Sequence, residues 1–162
     1  ANQDHPVKRM RFKRIQSQHS DRNTFFTPFK EALLQFTEEE YNRLKPLILE
    51  QDILSIQTQV QQGNLTYEKL TLFYLYRIYL FENKRDTYLN AIIALNPEVL
   101  DQARAHDKNR AQKLSHPLYG MPILLKDNIN AIPMATTAGA AAFKDNFPSD
   151  DAFLVNGYFT PY

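Results

Sequence analysis

The sequence has 162 residues, the size of about one globular domain. Its composition, 43% hydrophobic and 23% charged, is ordinary for such a domain. A net charge of +1 gives no strong attraction to nucleic acid or to anionic membranes, so we expect no nucleic-acid partner. Cysteine is absent, which excludes disulfides, thiolate catalysis and cysteine-bound zinc. No apolar run approaches the roughly 18 residues of a membrane span. The compartment stays open: cytoplasmic, or exported after cleavage of a signal.

The first 36 residues are predicted to form a basic, extended arm before a domain that covers residues 37–162. Cations cluster within the arm at Lys8, Arg9, Arg11, Lys13 and Arg14. Such a cluster is compatible with contact to nucleic acid or anionic lipid. Because only one aromatic residue lies among these charges, stacking on bases is poorly supported, and we interpret the segment as a solvated arm.

Three helices are predicted in the first half of the domain. Thr37 opens the first with a capping box, and Pro46 is expected to kink it or end it early. The second covers residues 52–62, where apolar residues share one face. Thr66 caps a longer third helix that extends to about residue 83. Apolar residues lie almost all round this helix, which is typical of a helix inside a larger body.

A strand, a helix and a second strand are predicted next. The apolar run at residues 89–95 indicates the first strand, and residues 121–126 indicate the second. Between them, Asn96 as cap and Pro97 at the first helical position begin a helix that extends to about residue 112. This order predicts a βαβ unit and therefore an α/β fold. A further helix is expected near Asp150 and Asp151.

Lys126 is the candidate catalytic residue. It follows three apolar residues directly, and Asp127 and Asn128 come after it. A lysine at the end of a buried strand is desolvated, and desolvation lowers the pKa of such an amine. A neutral amine can act as a general base. A solvated lysine at a strand end is the alternative interpretation of the same residues.

Four segments resemble, in order and spacing, the amidase signature family. They are residues 61–66 (QQGNLT), 89–97 (LNAIIALNP), 117–129 (PLYGMPILLKDNI) and 134–140 (MATTAGA). The third is similar to the family's strand-end motif, which ends in Lys-Asp-Asn, and the fourth is most similar to the peptide-amidase-like branch. Residues 151–155 resemble the start of the helix that follows. The resemblance covers about residues 52–155. It implies the N-terminal third of a mixed-sheet α/β domain, with N-terminal helices and a βαβ portion.

The resemblance implies a Ser-Ser-Lys mechanism that converts a carboxamide to a carboxylate and ammonia. In the family, a serine nucleophile is activated through a second serine, held by a cis peptide, and a neutral lysine. Backbone N–H groups of a Gly/Ser-rich loop bind the oxyanion. Only Lys126 carries over as catalytic. Asp127 is a candidate for orienting the lysine, and its alternative role is that of a turn residue that binds local N–H groups. No cofactor and no metal are implied, and the substrate would be a small amide or a peptide amide.

The sequence departs from the family pattern after Lys126. The family's serines lie downstream in a Gly/Ser-rich stretch, whereas Ser149 is the only serine after Lys126 here and lies in a Pro-Ser-Asp turn. We therefore expect a fragment that is inactive alone and whose partner is the remainder of its own polypeptide. Two alternatives stay open. One is a non-enzymatic interaction module or remnant built on the amidase N-terminal scaffold; in the module, the helices between Leu44 and Phe81 bind a partner chain. The other is an amidotransferase subunit. The long N-terminal arm argues against this second alternative.

Overall fold

The computed structural model describes residues 22–84, 86–87, 89, 91–110 and 116–159, together with residues 4, 6 and 7. A 3-10 helix, Arg22–Phe29, is followed by α1 (Lys30–Gln35), α2 (Glu38–Ile48), α3 (Ile53–Gln61), α4 (Tyr67–Glu82) and α5 (Val99–Asn109). A short 3-10 helix, Ala141–Phe143, precedes α6 (Phe153–Phe159). None of the helices in these described ranges is long and apolar enough to cross a membrane.

The three helices predicted in the first half of the domain are confirmed. α2, α3 and α4 begin after Thr37, Asp52 and Thr66, whose side-chain oxygens accept a backbone N–H three residues later at 3.1, 2.7 and 3.0 Å. Each cap satisfies one of the N–H groups that have no partner within the helix. The expected early end at Pro46 is wrong, because α2 continues to Ile48. A proline so close to the end of a helix removes one hydrogen bond without breaking a long run of later ones.

The main core joins side chains of α2, α3, α4 and α5. Leu44, Leu65, Tyr67, Leu70 and Phe73 are all 0% exposed. Complete burial of a large apolar side chain contributes about 1.5–3 kcal/mol. Because the centres of α2 and α4 are occupied by this core, these side chains are not free to bind a partner chain.

Part of the segment predicted as an extended arm is helical. Phe29, at the end of the first 3-10 helix, is 1% exposed and packs with Leu75 of α4 and Leu100 of α5. This contact attaches the segment before α1 to the helical body. The basic cluster at residues 8–14 lies outside the described residues, and the division of the chain after residue 36 stays a prediction.

Neither predicted strand is found where the structure describes the chain, so the βαβ unit is not confirmed and the described fold is helical. Residues 121–126 are irregular, and the described part of residues 89–95 is irregular as well. Within the described ranges, the N–H groups of residues 123–126 have no backbone partner. A strand exists only through hydrogen bonds to a neighbouring strand, and an apolar run in the sequence does not reveal whether that neighbour is present.

The two helices predicted in the second half are found with shifted starts. α5 begins at Val99, later than expected, because Asn96 caps a turn and not the helix: its Oδ1 accepts the Glu98 N–H at 2.9 Å. α6 begins at Phe153, just after the predicted Asp150 and Asp151.

Candidate functional site

Lys126 begins a tight turn, and its environment differs from the prediction. The turn is closed by a hydrogen bond from Ile129 N to Lys126 O at 2.9 Å. Lys126 is exposed, and Leu124, two residues before it, is 75% exposed. The desolvation expected from a buried strand is therefore not found, because no strand covers residues 121–126. Among the described residues, the Lys126 amine has no hydrogen-bond or ion-pair partner.

Asp127 fastens this turn to residues 134–140. Its carboxylate accepts hydrogen bonds from Thr137 N at 3.4 Å, from Thr137 Oγ1 and from Gly139 N at 3.0 Å. The Ala138 N–H donates to the backbone oxygen of Asp127 at 2.8 Å. Thr137 is 4% exposed, so its part of this contact is shielded from water, whereas Asp127 is half-buried and Gly139 is exposed. Hydrogen bonds to a carboxylate are stronger than neutral ones, and the cluster holds the two segments together.

Residues 137–139 have the backbone shape that this contact needs. Ala138 and Gly139 both have positive φ angles, 49° and 72°. Consecutive residues outside the extended region can turn their N–H groups toward one anion. Thr137 Oγ1 also accepts a hydrogen bond from the Gly139 N–H at 3.1 Å, which stabilises the same turn of the backbone. The partners of Asp127 thus lie ten and twelve residues away and not within its own turn.

Two further contacts connect this region to its surroundings. Asn146 O accepts the Thr136 N–H at 2.9 Å, and Asn146 Nδ2 donates to Thr136 O at 2.8 Å. Asp151 Oδ1 accepts the Ile132 N–H at 2.7 Å just before α6. The Lys126 turn is consequently joined to the start of α6 through hydrogen bonds.

Gln57 of α3 fixes the other end of the segment that leads to Lys126. Its Nε2 donates to Pro117 O at 3.0 Å and to Tyr119 O at 2.9 Å. Its Oε1 accepts from the hydroxyl of Tyr67 at 2.8 Å. Gln57 is 7% exposed and Tyr67 is 0% exposed. Burial raises the pKa of Tyr67 above its ordinary value, so the hydroxyl remains a proton donor.

Gly120 fits directly against the ring of Tyr67. It has a φ of 71°, and a Cβ built there would lie 2.4 Å from Tyr67 Cδ1. Only glycine satisfies both the backbone angle and the close approach. Beside it, the Tyr119 hydroxyl donates to His106 O at 3.3 Å. Residues 117–121 are therefore seated on α3, α4 and α5.

The structure adds residues that sequence reasoning did not single out. Thr137 and Gly139 belong to a segment noted only for its resemblance, and their bonds to Asp127 could not be inferred without the fold. Gln57 has a weak signal in the sequence. It lies next to Ile56 and three residues before Val60, so it is a polar residue on the apolar face of α3.

The described residues offer few other catalytic groups near this turn. Ser149, the only serine after Lys126, is exposed and donates to Asp150 Oδ2 at 2.8 Å. No cluster of three or more His, Asp or Glu side chains in the described ranges could hold a metal ion.

Comparison with known proteins gives a consistent relationship. The model of the Amidase family matches residues 69–159, more than half of the chain. The solved structure of an amidase family protein from Bacillus anthracis has a TM-score of 0.76 and 29% identity, over 85% of this chain and 27% of that one. The peptide amidase of Stenotrophomonas maltophilia has a TM-score of 0.62 and 43% identity, over 67% of this chain and 22% of that one.

A third relative is named for a different activity. It is a component of the glutamyl-tRNA(Gln) amidotransferase of Exiguobacterium sibiricum. That protein is 30% identical over 108 residues, which are 67% of this chain and 22% of the relative. The chain spans about a fifth of the length of the curated relatives that it matches.

Proposed function

The chain belongs to the Amidase family, and from this membership we propose that it acts in the hydrolysis of carboxamides to carboxylate and ammonia, with Lys126 as the general base. The observation that carries the proposal is the construction of the Lys126 turn. Asp127 is held by Thr137 and Gly139, while the adjacent lysine amine has no partner among the described residues. A fixed turn that presents an uncommitted amine suits proton transfer.

The chemistry requires a base because a serine hydroxyl is too weakly acidic to attack an amide unaided. In the proposed reaction, the lysine amine takes the hydroxyl proton of the nucleophile through a bridging serine as the serine oxygen bonds to the amide carbon. The carbon–nitrogen bond then breaks, and the proton passes to the leaving nitrogen to give ammonia. Water cleaves the acyl-serine by the same route to give the carboxylate. The two serines are implied by the resemblance and are not assigned to residues of this sequence.

A lysine base works best when its amine is shielded from water. Lys126 and Leu124 are exposed in the described structure. The proposal therefore requires that this surface be covered when the base acts. A further part of the same polypeptide is the cover that the resemblance implies.

Asp127 is proposed to position the lysine without reacting. Its carboxylate is occupied by Thr137 and Gly139, so it is poorly placed to exchange a proton with substrate. Its role in the proposal is to hold the turn so that the amine of Lys126 meets the bridging serine. No metal or other cofactor has a part in this reaction.

A chimera tests whether this segment can supply the base. The region of the Stenotrophomonas maltophilia peptide amidase that matches this chain would be replaced by the present sequence, and ammonia release from a C-terminally amidated dipeptide would be measured. We expect turnover in the chimera and about 10²–10⁴-fold lower turnover in its Lys126→Ala variant, the usual cost of losing a catalytic proton-transfer group.

The matched control is Lys144→Ala, which removes an exposed lysine from the same part of the chain. This variant should retain turnover. A folded chimera whose Lys126→Ala and Lys144→Ala variants are equally active would contradict the role of Lys126.

A second candidate function is amide transfer, which is favoured by the similarity to the Exiguobacterium sibiricum amidotransferase component. Such a protein would pass ammonia to another acceptor. The two functions differ in a simple readout: a hydrolase releases ammonia from an amide without any acceptor, whereas release that depends on an added acceptor and partner proteins supports the transferase.

A further inference from the structure

Gln57 is a buried polar side chain that the proposed chemistry does not use. It lies on the apolar face of α3, with Ile56 and Val60 as buried neighbours on the same helix. A buried amide is costly unless its hydrogen bonds are made. Gln57 makes three, two as donor to Pro117 O and Tyr119 O and one as acceptor from the Tyr67 hydroxyl.

This bonding pattern selects glutamine. The site needs two N–H donors toward the carbonyls of Pro117 and Tyr119 and one acceptor toward Tyr67, and a primary amide supplies all of them. Glutamate would present only acceptors to the two carbonyls when ionised. An aliphatic residue of similar size would leave both carbonyls and the tyrosine hydroxyl without these partners.

The same contacts define the register of the segment. The carbonyl groups of residues 117 and 119 both accept hydrogen bonds from the Gln57 amide. The next residue, Gly120, lies against the ring of Tyr67. A slip by one residue would bring a different residue against that ring, where a Cβ has no room. Gln57 and Tyr67 together accept only one alignment of residues 117–120.

Register at this end, together with the Asp127 cluster at the other end, determines where Lys126 lies. Residues 121–126 continue from the anchored region to Lys126 with no described strand beside them. A slip of one residue in an extended segment moves it by about 3.3 Å. Proton transfer needs heavy atoms within about 2.6–3.2 Å, so one step of slip would move the amine out of reach.

We propose that Gln57 is a positioning residue that, through its amide bonds to Pro117 and Tyr119, sets the register of the segment carrying Lys126. The catalytic meaning of this inference rests on the proposed function of Lys126, whereas its geometric content does not. Residues 121–126 are thereby held from both ends, by Gln57 before them and by the Asp127 cluster after them.

The test uses the chain itself and amide hydrogen exchange resolved to single residues by NMR. Three hydrogen-bonded amides report on the segment: Tyr119 N and Met121 N before Lys126, and Ile129 N, which closes the turn after it. Leu70 in α4 reports on the core. The variant is Gln57→Glu, and the control is Gln61→Glu, the same chemical change at an exposed position of α3.

In Gln57→Glu, exchange at Tyr119 and Met121 should rise about tenfold or more relative to Leu70, as expected for lost buried hydrogen bonds. Exchange at Ile129 should rise by a smaller factor, because the Asp127 cluster also holds that turn. The rise should shrink as pH falls, because a protonated carboxyl regains one donor. Gln61→Glu should change none of these ratios. The Ile129 amide is the decisive one, because a merely local packing role would leave the far side of Lys126 unchanged.

Faster exchange at Tyr119 and Met121 with an unchanged Ile129 would overturn the proposal, and so would an equal rise at all four amides. If Gln57→Glu does not fold, Tyr67→Phe removes only the hydroxyl that orients the Gln57 amide, and the same pattern is expected with a smaller rise. Loss of the Lys126→Ala effect in the chimera would refute the proposed function alone, because the exchange pattern does not depend on turnover.

Discussion

Replacing Gly120 by alanine should destabilise the fold through two separate effects. Gly120 has a φ of 71°, and a Cβ there would lie 2.4–2.5 Å from three atoms of the Tyr67 ring. That ring is 0% exposed, and its hydroxyl is bonded to Gln57 at 2.8 Å, so the ring cannot easily move aside. The variant Gly120→Ala therefore combines backbone strain with overpacking.

The magnitude follows from these two effects. A non-glycine residue in the left-handed region costs about 1–2 kcal/mol. Extra volume in a packed core costs about 1–3 kcal/mol. Gly120→Ala should thus lower the free energy of unfolding by about 2–5 kcal/mol, a large part of the stability of a domain of this size.

Gly63 provides a matched control. It has a φ of 79°, and nothing lies within 4 Å of a Cβ built there. Gly63→Ala should therefore cost only the backbone term, about 1–2 kcal/mol. The assay is thermal unfolding followed by circular dichroism. The midpoint of Gly120→Ala should lie about 2–12 °C below that of Gly63→Ala, at about 2–4 °C per kcal/mol for this length.

Equal midpoints for the two alanine variants would refute the reasoning, because the contact with Tyr67 would then have no energetic consequence. A second check is Gly120→Ala in a Tyr67→Leu background. A smaller side chain leaves room for the new methyl group, so the cost of Gly120→Ala should fall there, giving a coupling energy between the two positions.

Two further predictions concern the ties of α4. The carboxylate of Asp107 in α5 accepts hydrogen bonds from the Tyr67 and Glu68 N–H groups at 2.8 and 3.0 Å. Asp107→Asn places an NH₂ group opposite one of these donors and should lower the free energy of unfolding, measured with urea, by about 1–3 kcal/mol. Asp101→Asn, at an exposed position of the same helix, should lower it by less. Glu40 of α2 bonds Arg43 and Lys69, mainly through Arg43, and its pKa is lowered from 4.5 to about 2. Because the pKa of Glu40 is lower in the folded chain than in the unfolded chain, its stabilisation of the fold is present above pH 4.5 and is lost as the pH falls toward 2. Glu40→Gln should lower the free energy of unfolding by less than about 1 kcal/mol at neutral pH, because Glu40 is partly exposed. Near the acid end of this range, the variant and the unmodified chain should be equally stable.

The helices of the first half could be predicted because their signals are local. Thr37, Asp52 and Thr66 each cap a helix through an oxygen that bonds an N–H three residues later, a relationship visible in the sequence. The burial of Phe29 against Leu75 and Leu100 could not be predicted in the same way. It depends on residues far apart in sequence and on how α4 and α5 approach each other.

The candidate site was predictable in part for the same reason. Lys126 and Asp127 stand in a recognisable segment, so their positions in the sequence were enough to single them out. The bonds from Thr137 and Gly139 to Asp127 join segments ten and twelve residues apart. The bonds from Gln57 join segments sixty residues apart. Such contacts follow from tertiary structure and leave only faint traces in the sequence.

The two strand predictions, which the described structure does not confirm, have a physical consequence for the proposed base. The apolar residues that suggested a strand at residues 121–126 include Leu124 and Ile123, which are 75% and 39% exposed. Phe147 and Phe153, from the loop before α6 and from α6 itself, are 65% and 85% exposed. Removing apolar side chains of this kind from water is energetically favourable. A cover that buries Leu124 would also desolvate Lys126 two residues later. If that cover is a strand whose backbone bonds the N–H groups of residues 123–126, the same event would complete the predicted sheet and give the proposed lysine base the dry environment that it requires.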